Sequence, residues 1–185
     1  MAPFDELARL LSRDYVVLDT ETTGLVAPEL VSVAVVNRHG EEVLHRVVRP
    51  GRPIEDEASR VHGLTLGALA DKPSFPAIAP VLREALCGHV IVVYNAEYDR
   101  RVLANTYRRY RIPLPALETW CAMEWFAHVA GEWNPSRRSY TWKPLAEAAR
   151  HFGVPQPVAH DALADCLTTW RVLQAAFRQR AASHD

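Results

Sequence analysis

The sequence is poor in cysteine, has no long apolar run and carries no excess of charge of either sign. Cys87, Cys121 and Cys166 are odd in number and widely scattered. That pattern excludes a disulfide framework or a cysteine-rich metal site and points to free thiols in a reducing, cytoplasmic setting. No apolar stretch approaches the roughly 20 residues of a membrane-spanning helix, so no membrane partner is expected. The N-terminus mixes Asp5, Glu6 and Arg9 with its apolar residues and lacks the layout of a signal peptide. A formal net charge of -1 excludes an overall basic field, so any binding of a polyanion must come from local patches or bound metal. Lysine supplies two of the 21 basic residues; genomic base composition can produce such a bias, and no function is read from it. Neither repeats nor low-complexity tracts nor an interdomain linker stand out. At 185 residues, with 49% hydrophobic and 23% charged content, a single domain over residues 1–185 is expected.

What the sequence does contain centres on Asp19-Thr20-Glu21-Thr22-Thr23-Gly24. It follows Tyr15-Val16-Val17-Leu18, a run suited to a strand buried on both faces. Residues i and i+2 of a strand point to the same side, so Asp19 and Glu21 project together. Two adjacent carboxylates raise each other's pKa unless a cation lies between them, and Mg²⁺ or Mn²⁺ suits hard oxygen ligands. An ordinary strand-to-turn boundary rich in Asp, Thr and Gly is the competing reading.

Phe4, Leu7, Leu10 and Leu11 fall at helical spacing, marking a short amphipathic helix. Residues 29–37 and 41–48 read as second and third strands around the turn Asn37-Arg38-His39-Gly40, giving a β-meander. Helical fragments follow over 55–70, with Thr65 as an N-cap, then a helix over 74–86. A buried strand over 89–94, reached through that helix, is expected to pair parallel with the first. Helices are predicted over 97–110, 143–152 and 161–178, and a short strand or turn leads into a helix over 117–129. Residues 131–140 read as a polar loop. The chain is therefore α/β, antiparallel strands first and β-α units after.

At ~100° per residue, Asp99 shares a helix face with Val102, Leu103, Thr106 and Tyr110, the face that should meet the core. An ionised group there is costly unless paired or metal-bound. Asp165 fares differently. The last helix's apolar stripe is Leu163, Cys166, Leu167, Trp170, Leu173 and Phe177, and Asp165 lies off it, so helical phase predicts a surface carboxylate. By the same logic His160 reads as a loop residue.

Together the segments carry a resemblance. Asp19-Thr-Glu21-Thr-Thr-Gly24, Asn95-Ala-Glu-Tyr-Asp99 and His160-Asp-Ala-Leu-Ala-Asp165 resemble the three exonuclease motifs of the DnaQ-like, DEDD superfamily. The spacing of His160 and Asp165 is similar to that of its histidine-bearing DEDDh branch. Val61-His62-Gly63-Leu64-Thr65 and Trp142-Lys143-Pro144-Leu145 look like connecting segments of that family, and the likeness covers about residues 12–178. Two departures are a Tyr94 where the family often has His and the extra carboxylate of Glu97. The resemblance implies a ribonuclease-H-like fold with a mixed five-stranded sheet flanked by helices. It also implies a metal site of Asp19, Glu21, Asp99 and Asp165 holding two divalent ions, Mg²⁺ or Mn²⁺, with His160 as general base. Thr22, Gly24 and Leu25 would line the terminal nucleotide, Asn95 would support that pocket, and His62 would contact substrate or brace a turn.

The implied activity is 3′–5′ exonucleolytic hydrolysis of single-stranded or mismatched DNA 3′ ends to nucleoside 5′-monophosphates, in proofreading with a DNA polymerase partner, in repair, or alone. An exoribonuclease acting on short or structured RNA is the alternative within the enzyme class. Outside it stand a catalytically silent nucleic-acid- or polymerase-binding module and a purely structural interaction domain. Arg137-Arg138-Ser139-Tyr140-Thr141-Trp142-Lys143 mixes cations with aromatics, which suits a single strand equally with a solvated loop folded onto the core.

Overall fold

A computed structural model describes residues 2–156 and 160–182. The chain starts with α1 (Pro3–Leu11), then forms β1 (Tyr15–Thr22), β2 (Leu30–Asn37) and β3 (Glu42–Val47). Next come α2 (Asp56–His62), α3 (Phe75–Leu86), β4 (Val90–Val93), α4 (Ala96–Arg109), β5 (Glu118–Cys121) and α5 (Ala122–Ala130). A small hairpin of β6 (Trp133–Asn134) and β7 (Ser139–Tyr140) precedes α6 (Leu145–His151) and α7 (Ala162–Ala182).

The five main strands form a mixed sheet in the order β3-β2-β1-β4-β5. β1–β2 and β2–β3 pair antiparallel, whereas β1–β4 and β4–β5 pair parallel. The expected mixed five-stranded sheet flanked by helices is what forms, as is the parallel β1–β4 pair.

Strand alternation creates two cores. Tyr15, Val17, Ala34, Val36, Val90, Val92 and Tyr94 face α1, α5, α6 and α7. Val16, Leu18, Val33, Val35, Ile91 and Val93 face α3 and α4. Burial of the sheet on both sides explains why β1, β2 and β4 are apolar almost throughout. The N-terminal helix docks as its spacing predicts, burying Leu7 and Leu10, each worth about 1.5–3 kcal/mol against exposure.

Three local expectations are corrected. α7 buries Ala162, Asp165, Cys166, Thr168, Thr169, Val172, Leu173, Ala175 and Ala176. That face is turned roughly a third of a turn from the stripe of bulky residues. Phe177 stays exposed while Leu163, Leu167 and Trp170 pack only at the flank. Alanine and threonine let the helix lie close on β1 and β2, and the bulky side chains fill the margins. Asp165 is therefore buried, not a surface carboxylate. The polar segment 131–140 contains the β6–β7 hairpin, with Trp133 level with Tyr140. Of 55–70, only α2 is helical; the remainder is turn, in which the Ala68 N–H donates to Thr65 Oγ1.

Candidate active site

The last turn of β1 carries the site because its neighbours there are small. Asp19 is level with Ala34 of β2, and Glu21 with Ser32. Small side chains beside both carboxylates leave space on the α7 face of the sheet. A bulge follows between Glu21 and Thr22 and ends the regular pairing. Asp165, from the first turn of α7, closes the same space. One carboxylate oxygen from each of Asp19, Glu21 and Asp165 lies within 4.8 Å of the others.

Asp99 arrives from the other side. α4 packs on the opposite face of β1, where Thr20 points, and the Thr20 hydroxyl donates to Asp99 Oδ1 at 2.6 Å. Asp99 is nonetheless the strongest of the charges acting on Asp19. Two helices on opposite faces of the sheet thus bring acids to one strand end.

The electrostatics follow from burial. Desolvation first, then Asp99, Glu21 and Asp165, push the Asp19 carboxyl well above the usual range. Glu21 is raised from 4.5 to about 8, by desolvation and then by Asp165 and Asp161. Asp99 is raised from 3.8 to about 7 by desolvation, against which the Thr20 hydrogen bond works. Asp165 is raised by desolvation too, opposed by hydrogen bonds from Gln156 Nε2 (3.1 Å) and the His160 N–H (3.0 Å). Among the described residues no lysine or arginine forms an ion pair with any of the four. Asp19 and Glu21 are half-buried and Asp99 and Asp165 buried, and acids so placed that raise one another with no described protein cation beside them fit divalent metal ions, since every donor is hard oxygen. Asp19, Glu21 and Asp165 would hold them directly, with Asp99 adjoining.

The residues expected to line a nucleotide surround this centre. Leu25 is 72% exposed, so its side chain is available to a ligand. Thr22 is buried, its hydroxyl donating to the Gly24 carbonyl (3.1 Å) and 2.7 Å from the Tyr98 hydroxyl. Gly24 has φ 149°, and a Cβ there would come within 2.1 Å of the Glu55 carboxylate carbon. Asn95 is half-buried and its side-chain amide bonds to no described residue. His62 differs from the rest. Its Nδ1 accepts from the Leu64 N–H (3.0 Å), leaving Nε2 to donate to the Thr22 carbonyl (3.1 Å). Both nitrogens are committed to backbone, so the ring ties the end of α2 to the turn that follows β1. Desolvation lowers its pKa.

His160 is exposed at the rim with φ 61°, a left-handed conformation that costs a non-glycine residue energy. That geometry aims its N–H at Asp165 Oδ2. Glu97 is exposed and lines a cavity of about 880 Å³ beside β5, not the carboxylate cluster. Sequence reasoning missed Thr20, Tyr98 and Gln156. Tyr98 donates to the Gly24 carbonyl at 3.0 Å and so holds the turn closed; its position one residue before Asp99 was the available signal.

The exonuclease family RNase T matches residues 16–173, from β1 into α7. The chain belongs to that family. The chain is also similar to relatives of two kinds. The uncharacterized exonuclease CP81 of Escherichia phage 186 is 33% identical over 181 residues, 93% of this chain and 92% of the phage protein. The epsilon subunit of DNA polymerase III of Escherichia coli (strain K12) is 30% identical over 136 residues, 67% of this chain and 56% of the subunit. The chain thus spans about half the length of such subunits. Among solved structures, exonuclease X in complex with 5′ overhanging duplex DNA has a TM-score of 0.67 at 26% identity, covering 91% of this chain and 93% of that one. The E. coli exonuclease I–single-stranded DNA complex in its zinc-bound form scores 0.75 at 16% identity, covering 91% of this chain and 41% of that one, which supports the fold. An RNase T exonuclease is a hydrolase of nucleic acids, and the acids at the end of β1 fall inside the matched span.

Proposed function

We propose that the protein is a metal-dependent 3′–5′ exonuclease of the histidine-bearing DEDDh branch, acting on the 3′ ends of single-stranded or mismatched DNA. The observation that carries the reading is the convergence of Asp19, Glu21 and Asp165 within 4.8 Å, beside Asp99 and without a described cation. Asp19, Glu21, Asp99 and Asp165 would hold two divalent ions, Mg²⁺ or Mn²⁺, which would supply charge neutralisation and Lewis acidity toward a phosphodiester. The chain's own groups do the rest. His160, exposed beside Asp165, takes the proton of the attacking water, a task to which an imidazole with a free ring nitrogen is suited. Asp165 accepts the His160 N–H and so sets where the ring starts from. Leu25 covers the terminal base, and the backbone of Thr22 to Gly24, braced by Tyr98 and His62, receives the terminal sugar. Asn95 supports that pocket with its uncommitted amide. Likeness to the polymerase epsilon subunit supports a proofreading role with a polymerase partner.

The test is a 5′-labelled single strand, its RNA counterpart and a mismatched duplex, each incubated with Mg²⁺, Mn²⁺ or EDTA. A ladder shortening from the 3′ end is expected on DNA, absent with EDTA and absent for Asp19→Ala. His160→Ala is expected to bind metal normally and turn over at least about a hundredfold more slowly. Internal cleavage would overturn the exonuclease reading, full activity in EDTA the metal reading, and wild-type turnover of His160→Ala the base.

A further inference from the structure

The β6–β7 hairpin has no part in the carboxylate centre, yet its composition and position need an explanation. Trp133 is 53% exposed and Trp142 49% exposed. An indole left in water on a short hairpin contributes little to folding and marks a contact surface. Trp133 meets Tyr140 edge-on at 5.4 Å between ring centroids, and Tyr140 lies at 4.7 Å from the His128 ring. These rings are held in place by one another, so the surface is preformed.

The local charge is positive where it is free. Lys143 is engaged by Glu132 and by Glu147 at 3.5 Å, so its one charge offsets one of the two acids flanking the hairpin. Arg137 and Arg138, in the connection between β6 and β7, are exposed and form no ion pair with a described residue. In a chain of net charge -1, two unneutralised guanidinium groups beside three aromatics form a local surface complementary to a polyanion carrying rings.

The hairpin is tied to the site by the strand register. Val93 of β4 is level with Leu18 of β1, the last pair of that ladder, and Tyr94 and Asp19 are the residues that follow each of them. The Tyr94 side chain packs in the core on the α7 face, the face to which Asp19 also points. The Tyr94 hydroxyl donates to the Lys143 carbonyl at 2.8 Å, and the Thr141 N–H donates to the Glu132 carbonyl at 2.8 Å, closing the base of the hairpin. Trp142 thus stands one residue from a direct anchor to the end of β4, the strand that pairs with β1 up to Leu18.

We infer that the β6–β7 hairpin, through Trp133, Tyr140, Trp142, Arg137 and Arg138, is a second nucleic-acid subsite that holds the single strand upstream of its 3′ end. The inference rests on the proposed nuclease reading for its substrate and adds where the rest of the strand lies. Bases stack on the indoles and phosphates meet the arginines, with no readout of sequence.

The experiment separates one nucleotide from many. Binding of a fluorescent 12-nucleotide single strand is followed by anisotropy with Ca²⁺ replacing Mg²⁺ to prevent cleavage. Hydrolysis of the p-nitrophenyl ester of thymidine 5′-monophosphate is followed in Mn²⁺. Trp142→Ala and Trp133→Ala are each expected to weaken strand binding about tenfold, the loss of one base stack. The Arg137→Ala/Arg138→Ala double variant, which leaves the rings in place, is expected to flatten the slope of log affinity against log salt by about 1.4, two phosphates on a single strand. All three should hydrolyse the ester as wild type does. Wild-type strand affinity and salt slope in the variants would overturn the subsite, and so would equal loss on strand and ester, which would make the hairpin merely structural. A wild-type chain that binds no single strand would overturn it too. Failure to hydrolyse the ester despite normal strand binding would instead remove the nuclease reading and leave the subsite standing.

Discussion

Removing the metal should expose how strongly the carboxylates depend on it, and the structure sets the size of the effect in protons. A carboxyl titrating at about 8, as Glu21 does, holds its proton in about nine of ten molecules at pH 7, and one at about 7, as Asp99 does, in about half. Burial and the neighbouring acids push the Asp19 carboxyl well above the usual carboxylate range as well. Metal ligation needs the ionised forms, so saturating the protein at pH 7 should release at least about one proton from Glu21 and Asp99 together. Calorimetric titration with Mn²⁺ in two buffers of different protonation enthalpy counts them. The number should fall as pH rises past 8, while affinity rises about tenfold or more per pH unit between 6 and 8. The metal-free protein should behave oppositely. A raised carboxyl keeps its proton longer in the folded chain, so folding takes up protons and stability falls as pH rises from 4.5 to about 8 for Glu21. That loss is at most about 5 kcal/mol, reduced by the partial exposure of the side chain. Glu21→Gln should therefore melt higher than wild type in EDTA at pH 8, by about 5 °C, and match it near pH 4. Release of less than half a proton at pH 7, or a metal-free melting temperature for Glu21→Gln no higher than wild type at pH 8, would refute the reasoning.

Three further outcomes follow from single contacts. Thr20→Val removes the hydroxyl that lowers Asp99, so the acid limb of the pH–rate profile should move to higher pH and kcat/KM fall about tenfold; an unmoved limb would show that Asp99 does not depend on it. Gly24→Ala drives a methyl into Glu55 at a φ of 149°, and should raise KM for a single strand by at least about tenfold, partly restored by adding Glu55→Ala; no effect on KM would place the turn outside the nucleotide pocket. Tyr98→Phe loses the bond to the Gly24 carbonyl and should lower stability by about 1 kcal/mol in urea titrations, with a larger change in KM than in kcat; an equal fall in kcat would give Tyr98 a part in the chemistry.

Each acid of the site obeys a different local rule, and this decides which were legible. Asp19 and Glu21 are read by the period of a strand, and Asp99 by the phase of a helix whose buried face is made of large apolar residues. Asp165 defeats the same phase argument because α7 lies on the sheet through alanine, cysteine and threonine. Hydrophobicity there marks the flanks and not the contact face. Only the joint spacing of three motifs recovered it. Thr20 was invisible for a geometric reason: strand alternation sends it away from Asp19, and its use is plain only once α4 is seen to bring Asp99 from that side. The hairpin was missed because strands of two residues carry no period at all. What unites these pieces is the change of pairing at β1, antiparallel toward β2 and parallel toward β4. The parallel partner ends at Val93, level with Leu18, so the chain leaves the sheet beside Asp19 and turns straight into α4. One register therefore sets Asp99 near Asp19, and the Tyr94 hydroxyl at the same end of β4 ties the hairpin's Lys143 carbonyl to that end of the sheet. A change in that register would part all three at once.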